Sequence, residues 1–387
     1  MRRVRQAVIM GLLGGLAALP LSAQTPCPTL SVVVNTPEDE LMLAVNGAEK
    51  PEDQVAALEK FAQAHADSKF IPCVYEYLVS TNVKTNNFDK AIEWGGKDVA
   101  ANYDDLNLTI NMLKAYVGAG KPDDTSFDFI NKAPALIKTE NNPSRPAKAT
   151  DDEWQKMQQE IAEQAKQERD YVEYAFFQLL PRVADPAKRV QYLDAFMKSY
   201  ADTANTAQVN FQYFMAYEMS NNAAQADEYG EKALAGDPNN IEYLNALAND
   251  YATRQVNLDK ASAYAKKVLD LAPAMKKPDG ASDDQFKTMR NNQTGLAHAT
   301  MGYVTYLKGA KTHKVAGAIT EYKTAVDLLA ADPQLQARTL YYLGYAYEVI
   351  YPPNHRLAAE ALTKASALDS PWKGQAQELL AKVKSAK

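Results

Sequence analysis

The chain has little of what metal and redox chemistry needs: two cysteines and four histidines in 387 residues. A Cys/His-rich zinc module is excluded on that count, and no metal ligands or cofactor are expected. Cations are not in excess either. Lys and Arg number 42 against 48 Asp and Glu, a formal net charge of -6. Nucleic-acid binding, which needs clustered cations along the phosphates, is therefore not expected. No His-Glu-x-x-His and no Gly-x-Ser-x-Gly occurs. Gly118-Ala119-Gly120-Lys121 lacks the upstream glycine of a phosphate loop and runs into Pro122, so it reads as a turn between helices. His65, His298, His313 and His355 are never at helical ligand spacing. No catalytic residues are assigned. An unrecognised hydrolase stays a third reading, because scattered acids can meet in a fold.

What is there begins with Arg2, Arg3 and Arg5, then a nearly unbroken apolar run from Ala7 to Leu21, then Ser22-Ala23. This is the order of a secretory signal, with residues 1–23 expected to be removed. An uncleaved anchor is the alternative. The run is shorter than the roughly 20 residues that span a bilayer. No later stretch is long and apolar enough, so no transmembrane segment is expected after cleavage. Gln24-Thr25-Pro26 before Cys27 does not fit a lipoprotein signal. The expected location is outside the cytoplasm, periplasmic or secreted. Cys27 and Cys73 then meet an oxidising compartment. They either pair or remain two independent thiols.

The body of the chain repeats. Phe211, Phe214 and Tyr217 precede Ala226, Gly230 and Ala233, and Asp237-Pro238 closes the unit. Tyr251 lies 34 residues after Tyr217, in a unit that holds Leu244, Leu247, Ala261, Ala265 and Pro273. Gly302 and Tyr303 precede Ala318, Tyr322 and Ala325. Leu340, Gly344 and Tyr347 precede Ala358, Leu362 and Ala365. Upstream, Tyr75 and Leu78 precede Phe88 to Ile92, and Met112 and Tyr116 follow. Small residues at Ala226, Ala261, Ala318 and Ala358 let helices approach, while Tyr and Leu fill the grooves beside them. One such pair cannot bury its own stripe, so neighbours must stack.

These spacings resemble the tetratricopeptide (TPR) repeat, of the exported bacterial type, over roughly residues 70 to 371. The resemblance implies an all-α fold: an α-solenoid of antiparallel helix pairs, about seven of them, in a right-handed superhelix. The expected order is an N-terminal segment with capping helices (24–69), repeats (70–138), a loop (139–150), repeats with a long first helix (151–273), a loop (274–281), repeats (282–371) and a capping helix (372–387). Thr29 to Val34 reads as a short strand. Pro37 to Asn46 and Glu52 to Ala66 read as helices. Thr150 to Glu153 and Ser282 to Gln285 read as helix-starting caps. The long helix from Asp151 is polar up to Arg169 and aromatic beyond; its polar part is either a projection for a partner or a solvated extension.

In the TPR family the first helix of each repeat lines a binding groove. Carried over, this implies a protein or peptide partner contacted by Lys114, Phe211, Met215, Asn245, Asn249, Tyr303, Tyr306, Arg338, Tyr341, Tyr345 and Glu348. Asn245 and Asn249 share a helix face, as do Tyr341 and Tyr345. For each Tyr the alternative is packing against the next repeat; for the Asn pair it is plain exposure. Some family members clamp a C-terminal carboxylate with Lys and Asn; Asn245 and Asn249 have no Lys in register, so that adaptor role is not implied. The expected function is a non-catalytic interaction scaffold or assembly adaptor in the cell envelope. The alternative is glycan or small-ligand capture on the Tyr-rich groove. Oligomeric state is not specified by the sequence.

Overall fold

The computed structural model describes residues 33–99 and 106–385. Residues 1–23, Cys27 and most of the expected strand lie outside them. Val33 and Val34, the described end of that strand, are exposed and irregular instead, with Val34 opening a turn. No strand lies among the described residues for them to pair with, and Thr36 caps a helix directly after them.

The described residues hold seventeen α-helices and no strand. The protein is an all-α solenoid of helix pairs. Two helices come first: α1 (Pro37–Gly47) and α2 (Pro51–Ala64). Seven pairs follow: α3 (Ile71–Lys84) with α4 (Phe88–Val99), α5 (Leu106–Ala119) with α6 (Asp124–Glu140), α7 (Asp151–Leu179) with α8 (Pro186–Ser199), α9 (Thr206–Met219) with α10 (Ala223–Gly236), α11 (Ile241–Arg254) with α12 (Leu258–Leu271), α13 (Asp283–Gly309) with α14 (Ala316–Leu328), and α15 (Pro333–Val349) with α16 (His355–Ala367). The helix α17 (Lys373–Ser385) ends the array. The chain divides into two compact units. The first holds α1 to α8, and the second holds α11 to α17; α9 and α10 are shared between them.

Local chemistry sets the helix boundaries. Asp185 and Asp332 accept backbone N–H groups at the starts of α8 and α15, and each is followed by proline in the first turn. Turns within pairs use residues in the left-handed region: Asn86, Gly120, Asn221, Gln255, Asn257 and His313. The helix α6 continues to Glu140, so the following loop begins at 141 rather than 139. A 3-10 turn, Ala272–Ala274, closes α12, so the second loop begins at 275.

In the second unit, packing follows the small residues. Ala261, Ala318 and Ala358 are fully buried. A Cβ on Gly302 would lie 2.8 Å from the Tyr322 ring, and one on Gly344 would lie 2.6 Å from Leu362. Only glycine admits those approaches.

In the first unit the core is aromatic. Phe176 of α7 stacks on Phe196 of α8 with centroids 4.0 Å apart, and Phe196 stacks on Tyr200 at 4.5 Å. Glu173 accepts hydrogen bonds from Thr203, Asn205 and Arg169 beside this stack.

The helix α7 is 29 residues long. Thr150 and Glu153 form a reciprocal capping box at its start. The 141–150 loop runs back along the helix, tied by Asn141 to Glu168 and by Arg145 to Asp151. Ser282 and Gln285 cap α13 in the same way. Replacing Thr150 with alanine is expected to cost about 1 kcal/mol. Amide exchange should quicken over the first turns of α7 while the Phe176–Phe196 core keeps its protection. Equal loss in both places would show that the cap stabilises more than its own helix end.

Candidate functional site

The first helices of successive pairs touch in a row within the second unit: α11 packs on α13, α13 on α15, and α15 on α17. On this row Asn249 of α11, Thr300 and Tyr303 of α13, and Arg338, Thr339 and Tyr342 of α15 line one cleft. Thr300 and Tyr303 are one turn apart, as are Arg338 and Tyr342, so each helix presents one edge. Ala252 and Thr253 of α11, Ala299 of α13, Tyr322 of α14 and Trp372, just before α17, also line it. The cleft measures about 100 Å³.

Its polar groups are incompletely satisfied. Thr300 is 2% exposed and Tyr322 is 1% exposed, yet neither hydroxyl has a hydrogen-bond partner among the described residues. A helical threonine usually donates to the carbonyl four residues back. Thr294 and Thr339 do so, and Thr300 does not. Arg338 is partly buried and makes no hydrogen bond or ion pair with any described residue. Burial is the main cause pulling its guanidinium below the ordinary value, opposed by Tyr342, Tyr322, Asp332 and Tyr303. Asp332 is the one carboxylate among these, and it accepts from the backbone N–H groups of Gln334 and Leu335. Burial also pushes the Tyr322 hydroxyl well above its ordinary value. No Asp, Glu, His, Lys or Cys lines the cleft.

Aromatic rings surround the arginine. Tyr303 lies 4.7 Å from Tyr342 and 6.5 Å from Tyr306. Tyr341 lies 5.2 Å from Trp372 and 5.4 Å from Tyr345. Tyr345 is 37% exposed and stands at the rim.

The residues expected at a groove divide accordingly. Asn249, Tyr303 and Arg338 meet in the cleft, with Tyr306, Tyr341 and Tyr345 in the adjoining ring cluster. Three of the expected residues have partners within the protein. Phe211 is core, stacked on Tyr243 at 4.3 Å, because an aromatic at the pair crossing gains more from burial than from exposure. Asn245 is buried, and its amide donates to the backbone and side-chain oxygens of Gln293 on α13 at 3.0 and 2.6 Å, so it ties two helices together. Glu348 is paired with His355 at 3.0 Å and belongs to the α15–α16 turn. Lys114 and Met215 belong to the first unit. The Lys114 ammonium sits 5.9 Å from the Tyr171 ring centroid, and burial, then Lys84, lowers its pKa. Cys73 is buried at the start of α3 and is disulfide-bonded.

Thr300, Tyr322, Tyr342 and Trp372 are not among the residues expected from the sequence. Thr300 and Tyr342 were within reach, one turn from Tyr303 and Arg338. Tyr322 carried no such signal, because a tyrosine on a second helix reads as packing.

A wider groove of about 480 Å³ lies between α16 and α17 and is lined by His355, Arg356, Glu360 and Lys384 among others. Arg356 is paired with Glu360, and His355 with Glu348. It contains no unsatisfied buried group and is the weaker candidate. Among the described residues no cluster of His, Cys, Asp and Glu is arranged to hold a metal, and no helix is long and apolar enough to cross a membrane.

No protein-family profile and no curated protein sequence matches the chain. Solved structures do. The Cut9–Hcn1 hetero-tetramer of the APC/C is similar at 14% identity and TM-score 0.45, over 90% of this chain and 57% of that one. The chain thus spans little more than half of that relative. The C-terminal part of a TPR repeat-containing protein from Cytophaga hutchinsonii is similar at 15% identity and TM-score 0.45, over 79% of this chain and 98% of that one. Yeast Tom70 is similar at 13% identity and TM-score 0.31, over 90% and 95%. These values are low, and the solenoid reading rests on the helix pairs described above.

Proposed function

We propose that the protein is a non-catalytic scaffold that holds a segment of another protein against the α11–α13–α15 row, and that it acts after export, in the cell envelope. One observation carries the reading: three successive first helices bring Asn249, Tyr303 and Arg338 to one cleft in which Arg338 and the hydroxyls of Thr300 and Tyr322 have no hydrogen-bond partner among the described residues. A buried unmet polar group costs free energy that a ligand can recover. Tyr and Trp beside an arginine are the residues that dominate binding energy at interfaces.

Glycan capture is the second reading. It draws on Tyr303, Tyr306, Tyr341 and Tyr345, but Tyr345 packs edge-on against both Tyr306 and Tyr341, and Tyr303 lies parallel to Tyr306. Fewer flat faces are left for a sugar, which favours the peptide reading.

The test is capture from envelope extract by the wild-type protein and by an Asn249→Ala, Tyr303→Ala double variant of unchanged helicity. The captured protein is then mapped to a peptide and re-bound. Binding of that peptide to the wild type and its loss in the variant support the scaffold. Equal binding by both removes the site from this row. With no specific capture, a carbohydrate array takes the question to the glycan reading.

Export is supported by the composition of residues 2–23 and by the disulfide at Cys73, since oxidising compartments keep disulfides. We take Cys27, the other cysteine of the chain, as its partner. Protein recovered from its native compartment should resist alkylation until reduced, and its N-terminus should begin near residue 24. Two freely alkylated cysteines, or an intact Met1, would contradict this.

A further inference from the structure

We infer that the Arg338 cleft takes a carboxylate on an apolar stem: the head group of an acidic residue in a bound segment. The inference rests on the peptide-binding reading and specifies what that peptide must carry.

Charge gives the first argument. The Arg338 guanidinium has no ion-pair partner among the described residues, and no acidic side chain lines its cleft. A partly buried, uncompensated cation calls for an anion. Donor count gives the second. The hydroxyls of Thr300 and Tyr322 are unmet, and both residues line the same cleft. An ionised carboxylate is acceptor-only, with about four lone-pair sites over two oxygens. It can take the arginine fork and both hydroxyls together.

Size and depth give the third. About 100 Å³ suits a single small head group, being well under the roughly 300–1,000 Å³ of a pocket for a drug-sized ligand. The lining includes Tyr322 of α14, so the cleft reaches past the first-helix row to a second helix. A group on a stem reaches that depth, and Tyr303, Tyr342 and Trp372 supply apolar walls for the stem. A phosphate fits the charge less well. It brings about −1.5 to −2 to a single guanidinium, with no lysine in the lining.

The experiment uses the full chain and two probes. The first is an array of end-blocked random peptides with Glu, Gln, Asp or Asn fixed at the centre, beside unblocked copies with a free C-terminus. The second is glutarate, followed at the Trp372 indole by NMR. The variants are Arg338→Met, and Thr300→Val as a near-isosteric change that keeps the arginine.

The expected result is a preference for Glu or Asp over the amides of roughly ten- to a hundredfold, the range for a hydrogen bond to a charged group. Arg338→Met should abolish it, and Thr300→Val should weaken it several-fold. Preference for the unblocked peptides, lost in Arg338→Met, keeps the carboxylate and moves its source to a chain end. Glutarate shifts in the wild type and none in Arg338→Met, without peptide binding, keep the carboxylate and remove the peptide reading. Peptide binding that ignores the acid and is unchanged in Arg338→Met overturns the inference and leaves the scaffold standing. Neither an acid preference nor a glutarate shift also overturns it, leaving a cleft filled by water alone.

Discussion

A Phe196→Ala chain is expected to lose about 3–5 kcal/mol of stability in its first helical unit, the usual cost of truncating a packed phenylalanine. Phe196 is fully buried. Its ring stacks on Phe176 at 4.0 Å and on Tyr200 at 4.5 Å, and meets Phe177 edge-on at 5.9 Å. The neighbours cannot collapse easily into the gap. Phe176 is held on α7, and the Tyr200 hydroxyl donates to the Ile130 carbonyl of α6 at 2.8 Å. Truncation therefore leaves a cavity under three helices. In a repeat array each unit depends mainly on its neighbours, so the loss should be local. Hydrogen exchange under mild denaturant should show α6, α7 and α8 opening first, with α13 to α16 nearly unchanged. A loss below about 1 kcal/mol would mean that the stack is not the core of this unit.

The second large effect is expected at Gly302. Its Cβ position lies 2.8 and 2.9 Å from two carbons of the Tyr322 ring. Gly302→Val would gain a few tenths of a kcal/mol in helix propensity. Overpacking should outweigh that gain, at about 1–3 kcal/mol. Tyr322 is 1% exposed and borders only the small cleft, so its ring can yield only into that space. The substitution also displaces the hydroxyl that lines the cleft, so binding should fall with stability. Gly374→Ala is the control. Nothing lies within 4 Å of its Cβ position, and no loss is expected there. Equal behaviour of the two variants would show that the α13–α14 approach is looser than the distances indicate.

Arg338→Met separates stability from binding. Removing an unpaired, partly buried charge should raise the melting temperature of the free protein, because the desolvation of that charge is no longer borne by the fold. A lowered melting temperature would mean that the guanidinium makes a stabilising contact in solution.

The fold was largely legible in the sequence because its devices are local. Helix starts are signalled by Thr150 with Glu153, by Ser282 with Gln285 and by Asp332 with Pro333. Helix crossings are signalled by Ala261, Gly302 and Ala318. The candidate site was legible only in part. Face periodicity picks out Asn249, Tyr303 and Arg338, since they lie on first helices. It cannot separate Asn245 from Asn249, because which of them bonds Gln293 depends on how α11 and α13 sit together. Nor can it find Tyr322, whose place in the cleft comes from a gap between two other helices. Phe211 illustrates the same limit: an aromatic on the groove-forming helix was turned into the core by the Tyr243 ring.

The most direct test of the scaffold reading is hydrogen exchange on the full chain, alone and with its captured peptide bound. Protection should appear on α11, α13 and α15 around Asn249, Tyr303 and Arg338. Protection confined to α12, α14 and α16, or to the exposed start of α7, would contradict the account.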